Sequence, residues 1–117
     1  MSVGITLIVV RSDDLERVHA FYELLGLTLI SEQHGTGPQH YSSTSSGTVF
    51  ELYPARPGES DASTRLGFSV VDVNEVVARL EAGGYQVSSR PKERDSEVHA
   101  VVVDPDGRKV ELTSPAV

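Results

Sequence analysis

Apolar residues in this chain fall into short runs and helical stripes that recur in one order. Gly4 to Val10 is apolar and rich in β-branched residues, which predicts a strand. Asp13 and Glu16 then stand at the spacing of a capping box. Leu15, Val18, Phe21, Tyr22 and Leu25 follow at helical spacing, and Gly26 is placed to stop that helix. Leu27 to Ser31 predicts a second strand. Gly35, Gly37 and Pro38 break the chain. His40 to Ser43 and Gly47 to Tyr53 predict a hairpin turning through the Ser/Thr/Gly cluster at 44–47. Pro54 to Ser63 holds two prolines, a glycine and little apolar content, and reads as a linker.

Beyond the linker the order repeats. Leu66 to Val71 predicts a strand. Asp72 and Glu75 form a second capping-box pair ahead of the stripe Val73, Val76, Val77 and Leu80, which Gly83-Gly84 ends. Tyr85 to Ser88 predicts a strand. His99 to Val103 and Lys109 to Thr113 flank Asp-Pro-Asp-Gly at 104–107, where proline fixes φ and glycine accepts a positive φ. One constant offset carries Asp14, Gly26 and Leu27 onto Asp72, Gly84 and Tyr85. An offset two residues longer carries Phe50-Glu51-Leu52 onto Val110-Glu111-Leu112. Each half reads strand, helix, then three strands, so the prediction is α+β with paired βαβββ modules. The modules run over about 3–54 and 64–114, with a linker over about 55–63, in a single domain covering 1–117.

Strand side chains alternate between faces. Phe50 and Leu52, like Val110 and Leu112, should lie under the helices, leaving Glu51 and Glu111 on the opposite face. A cupped mixed sheet with helices on its convex side would turn both carboxylates into the concavity. A buried glutamate is costly unless it is paired, coordinated or solvated, so a shared role is expected of them.

Composition narrows the chemistry. With no cysteine among 117 residues, disulfides, thiolate nucleophiles and cysteine-ligated metals are excluded. A net charge of −7 disfavours nucleic acid and anionic membranes as partners. No apolar run reaches transmembrane length, and Met1 to Val10 lacks the shape of a signal peptide, which leads to the expectation of a cytoplasmic protein acting on a small molecule. Arg90, Lys92 and Arg94 alternate with Glu93, Asp95 and Glu97 in what reads as a solvated loop. Of the histidines, His19 lies at the edge of the first helical stripe. His34 and His40 bracket Gly35-Thr36-Gly37-Pro38, a loop able to close over a ligand. His40 and His99 occupy related places before the turns that lead to Glu51 and Glu111.

Asp14-Leu15-Glu16-Arg17, Ala20-Phe21-Tyr22-Glu23 and Leu25-Gly26-Leu27, with Gly67-Phe68-Ser69-Val70, Asp72-Val73 and Asp104-Pro105-Asp106-Gly107 before Val110-Glu111-Leu112, resemble the vicinal oxygen chelate superfamily. That superfamily includes glyoxalase I, bleomycin-resistance proteins and extradiol dioxygenases. The resemblance implies paired modules, often assembled as homodimers. In the superfamily's metal enzymes it implies a ligand from the first strand and a Glu from the last strand of each module. Glu51 and Glu111 match the last-strand positions. Arg65 falls on the second first-strand position, and Leu7 on the first, or Thr6 if the capping pairs set the phase. Leucine has no donor atom, threonine is a poor ligand and a protonated arginine cannot coordinate.

The expected function is therefore metal-independent binding of a small molecule, of the bleomycin-resistance type. Glu51, Glu111 and Arg65 would orient polar groups, Tyr41, Tyr53 and Val49 would form a wall, and His40 would lie nearby. No cofactor is expected. A divalent metal remains possible, held by Glu51 and Glu111 with His40 or His99, in a lyase, isomerase or dioxygenase. A non-catalytic interaction protein with a collapsed cavity is the third reading.

Overall fold

The computed structural model describes residues 2–59 and 61–117; Met1 and Ser60, the latter within the expected linker, lie outside the described residues. The chain divides into two compact units. One takes in the residues up to Glu23 together with Leu27–Asp61, and the other Leu24–Gly26 with Ala62–Val117.

In the first unit the elements are β1 (Leu7–Ser12), α1 (Leu15–Leu25), β2 (Ile30–Glu32), β3 (His40–Ser45) and β4 (Thr48–Pro54). In the second they are β5 (Leu66–Ser69), α2 (Val73–Ala82), β6 (Val87–Arg94), β7 (Glu97–Val103) and β8 (Lys109–Pro115). The first sheet has the order β1-β4-β3-β2 and the second β5-β8-β7-β6. In each, the first and last strands pair in parallel and the remaining neighbours are antiparallel. The α+β class and the βαβββ repeat hold in both units.

The alternation inferred for the last strands is also present. Phe50, Leu52, Val110 and Leu112 are buried, while Glu51 and Glu111 lie on the other face at intermediate exposure. Tyr22 of α1 meets Phe50 edge-on at 5.4 Å between ring centroids. Val18, Phe21, Tyr22 and Leu25 complete the buried stripe of α1, as Val73, Val76, Val77 and Leu80 do in α2.

Several boundaries differ from expectation for identifiable reasons. Asp14, not Asp13, accepts the Arg17 amide at 3.3 Å, and Ser12 Oγ accepts the Asp14 amide at 3.0 Å. Asp72 accepts the Glu75 amide in the same way, while the Glu75 carboxylate turns to Arg79 at 3.5 Å. The two caps are therefore in phase, and Leu7, rather than Thr6, corresponds to Arg65. The first strand starts at Leu7 and runs on to Ser12 because its parallel pairing with β4 extends as far as Pro54. Both helices end in glycines with positive φ, +132° at Gly26 and +90° at Gly84, a conformation that a Cβ would strain. After α1 the Leu29 amide is held by Glu23 at 2.9 Å, which delays the second strand to Ile30.

The largest correction concerns 90–97. Arg90, Lys92, Glu93 and Arg94 are not a loop but belong to β6, which runs to Arg94 and pairs with β7. As an edge strand it carries Pro91, alternating charges and two register shifts, devices that discourage pairing with a further chain. Such a strand has no apolar alternation to reveal it. Arg90 is tied to Glu81 of α2 by two bonds of 2.9 and 3.1 Å; the guanidinium lowers the Glu81 carboxyl pKa, and its own is raised in return.

Candidate functional site

The face of the first sheet opposite α1 carries Val9, Arg11, Val49, Glu51 and Tyr53, since β1 and β4 pair Leu7 with Val49, Val9 with Glu51 and Arg11 with Tyr53. His40 joins them from β3, one step beyond the Tyr41–Leu52 pair. Its ring stacks on Tyr53 at 4.1 Å and 10°. The Arg11 guanidinium carbon stands 5.3 Å from the centre of the same Tyr53 ring. His40 is 1% exposed, and its Nδ1 lies 3.2 Å from the Pro38 carbonyl. A carbonyl only accepts, so Nδ1 carries a proton and Nε2 is the nitrogen left to face the carboxylates. Around Nε2 lie Glu32 Oε1 at 3.4 Å, Glu51 Oε2 at 3.5 Å and the Tyr53 hydroxyl at 3.4 Å. Glu51 is itself mostly covered, at 14% side-chain exposure. A neutral His40 accepts from Tyr53, and a protonated one donates to a glutamate.

Tyr41 does not share this face. Its register with Leu52 turns it toward α1, where it stacks on His19 at 3.9 Å and donates to the Glu16 carboxylate at 2.8 and 3.0 Å. That bond, with partial burial and the nearby negative charge, raises the Tyr41 phenol above its ordinary value of 10.0. The expected wall of Tyr41 beside Tyr53 and Val49 thus loses one member, because adjacent residues on a strand point to opposite faces.

In the second unit, Arg65 precedes β5 and its Nε donates to Glu111 Oε2 at 2.9 Å. Both side chains are about half exposed, so the pair contributes little to stability. His99 pairs with Thr113 in the β7–β8 ladder, on the Glu111 face, and its ring turns to Glu97 at 3.5 Å.

The residues at the positions the resemblance assigns to a metal do not fit one. Leu7 offers only carbon, and Arg65 brings a positive charge already engaged with the glutamate that would be its co-ligand. Three residues carry weight that the pattern of the chain did not single out. Glu32 and Arg11 border His40 and Tyr53, and Arg108 forms a buried ion pair with Asp104 at 2.9 Å in the 104–107 turn. For Glu32 the available signal was its place two residues before His34, at the mouth of the glycine–proline loop.

The statistical description of one protein family, the Glyoxalase/Bleomycin resistance protein/Dioxygenase superfamily, matches residues 4–112. The chain belongs to this superfamily. None of the curated protein sequences compared with it matches. Among solved structures, it is similar to TnmS3, an antibiotic binding protein from Streptomyces sp. CB03234, with 28% identity, a TM-score of 0.76 and 99% of each chain covered. A glyoxalase/bleomycin resistance protein from the same organism is also 28% identical, with a TM-score of 0.73, covering 95% of this chain and 100% of that one. A glyoxalase/bleomycin resistance protein/dioxygenase from Nocardioides shares the fold at 20% identity and a TM-score of 0.68, covering 99% and 85% of the two chains. Among the described residues, no helix is long and apolar enough to cross a membrane.

Proposed function

We propose that the protein binds a small organic molecule and sequesters it without a metal at the superfamily's usual positions. The observation that carries this reading is the Arg65–Glu111 pair, which puts a guanidinium where a metal-ligating side chain would be needed, with Leu7 at the corresponding place in the first unit. The likeness to an antibiotic binding protein over 99% of both chains supports it. Each unit is proposed to offer its own ligand contacts, Glu51, Tyr53 and His40 in the first and Glu111 and Arg65 in the second. Tyr53 offers an aromatic face, and the carboxylates favour a cationic group, in keeping with the net charge of −7.

The same reading has a homodimer of single-domain chains in the cytoplasm. Val3, Ile5 and Leu7, at alternate positions along the start of the chain, are all exposed, an apolar row that a second copy would cover. Sedimentation should then give twice the 12.6 kDa chain mass.

A thermal-shift screen of cationic and aromatic antibiotics, run with and without EDTA, tests the function. Stabilisation by at least one compound, unchanged by EDTA, is the expected result. Stabilisation that vanishes with EDTA and returns with a divalent ion would favour a metal-dependent enzyme instead. A chain that responds to no compound would favour an interaction protein.

A further inference from the structure

We propose that the β2–β3 segment forms a site for one divalent transition-metal ion from Glu32, His34 and His40, none of which stands at a position that the superfamily's metal enzymes use. One donor atom from each of these side chains lies within 4.8 Å of the others. Glu32 Oε1 stands 3.4 Å from His40 Nε2 and 3.9 Å from His34 Nε2. Donors about 2.1 Å from a tetrahedral ion stand about 3.4 Å apart, so Glu32 and His40 already have that spacing and His34 has to move in.

The loop is built to bring these atoms together. Gly37 donates its amide to the His34 carbonyl at 2.9 Å, and Gly35 has φ +58°, so the chain folds back and returns His34 beside His40. The two rings lie 5.1 Å apart and tilted by 36°, converging rather than stacking. The Pro38 carbonyl holds the Nδ1 proton of His40, which fixes the ring and leaves Nε2 for the ion, the usual arrangement behind a metal-bound imidazole. Glu51 Oε2, 3.5 Å from the same nitrogen, is in reach as a fourth donor. With Glu32 it supplies two negative charges against a dication. His34 is 72% exposed and His40 1%, so the site has one buried wall and one side open to solvent through which an ion can enter. Two imidazoles with carboxylates favour Zn²⁺, Ni²⁺ or Co²⁺ over Mg²⁺ or Ca²⁺, which prefer oxygen alone.

A proton on His40 Nε2 would also satisfy the two glutamates, and titration with Zn²⁺ decides between these occupants. The full chain, stripped with EDTA and dialysed, is titrated calorimetrically at pH 7.5, with Co²⁺ absorbance as a parallel readout of coordination. The expected result is one equivalent of Zn²⁺ per chain and a visible Co²⁺ spectrum of the four-coordinate type. His34→Ala and Glu32→Gln should each weaken binding at least about tenfold, and His99→Ala should leave it unchanged. His34 and Glu32 are not buried, so these variants keep the fold even if a change at His40 does not. Absence of a Zn²⁺ isotherm, or equal affinity in wild type and His34→Ala, would overturn the site. The antibiotic screen in EDTA is read independently, so failure of the metal site leaves the sequestration reading standing, and the reverse.

Discussion

The two units share one topology and differ in where they place their long connection. In the first, β3 and β4 are joined tightly through Ser46 and Gly47, both with positive φ, and the long connection lies between β2 and β3, at 33–39. In the second, the tight turn is Asp95-Ser96, again with positive φ at both residues, joining β6 and β7, and the longer connection is 104–108 between β7 and β8. The same ladder position thus acquires different chemistry. His40 is enclosed by Glu32, Glu51, Tyr53 and the returning His34. His99 has Thr113 across from it on β8 and Lys92 on β6, and its ring turns to Glu97. The second unit's long turn instead closes on itself, with Asp104 accepting the amides of Asp106 and Arg108 and pairing with the Arg108 guanidinium. A duplicated scaffold can therefore enclose a histidine in one copy and anchor a turn in the other by moving a loop one hairpin along.

The largest expected effect tests the anchoring half of that contrast. Arg108 and Asp104 are 1% and 0% exposed, so Asp104→Ala removes a buried partner of a guanidinium that keeps Asp106 at 3.1 Å, and it should cost about 3 kcal/mol in denaturant unfolding. A loss below about 1 kcal/mol would mean that the turn is not an anchor. Next comes the paired comparison His40→Ala against His99→Ala. Removing the enclosed ring should cost about 2 kcal/mol, and removing the open one less than about 0.5. Equal costs would erase the asymmetry between the units.

The helix caps should be alike where the connections differ. Asp14→Ala and Asp72→Ala should each lower stability by about 1 kcal/mol, whereas Asp13→Ala should change it by less than about 0.5. A larger effect at Asp13 than at Asp14 would put the two caps out of phase again. The smallest effect is a titration. With its pKa raised, the Tyr41 phenol favours its protonated form in the folded chain. Its contribution to stability is whole below about pH 10 and fades as the pH rises through the folded pKa. Phenolate absorbance should show one tyrosine titrating late, and Glu16→Gln should bring it back toward the ordinary value.

The repeat, both helices and the buried faces of β4 and β8 were legible in the sequence, because burial leaves a period in the apolar residues. The extension of edge strand β6 beyond Ser88 was not, since Arg90 to Arg94 has no apolar alternation and takes its strand form from pairing with β7. The exchange of Asp13 for Asp14 as the cap was invisible because neighbouring aspartates differ only in backbone geometry. Glu51, Glu111, Arg65, Tyr53 and His40 could be named from alignment and alternation. That Tyr41 turns to His19 and Glu16 required the β3–β4 register, and that Glu32 and His34 meet His40 required the path of the loop.

The proposed function is the holding of a small molecule without a metal at the usual positions. It is tested most directly by calorimetric titration of the best-stabilising antibiotic in excess EDTA, with wild type and Glu51→Gln side by side. The account predicts saturable binding by wild type in the chelator, weakened at least about tenfold in the variant, as for a buried carboxylate lost from a charged pair. Wild-type binding that appears only when a divalent ion is restored would contradict it.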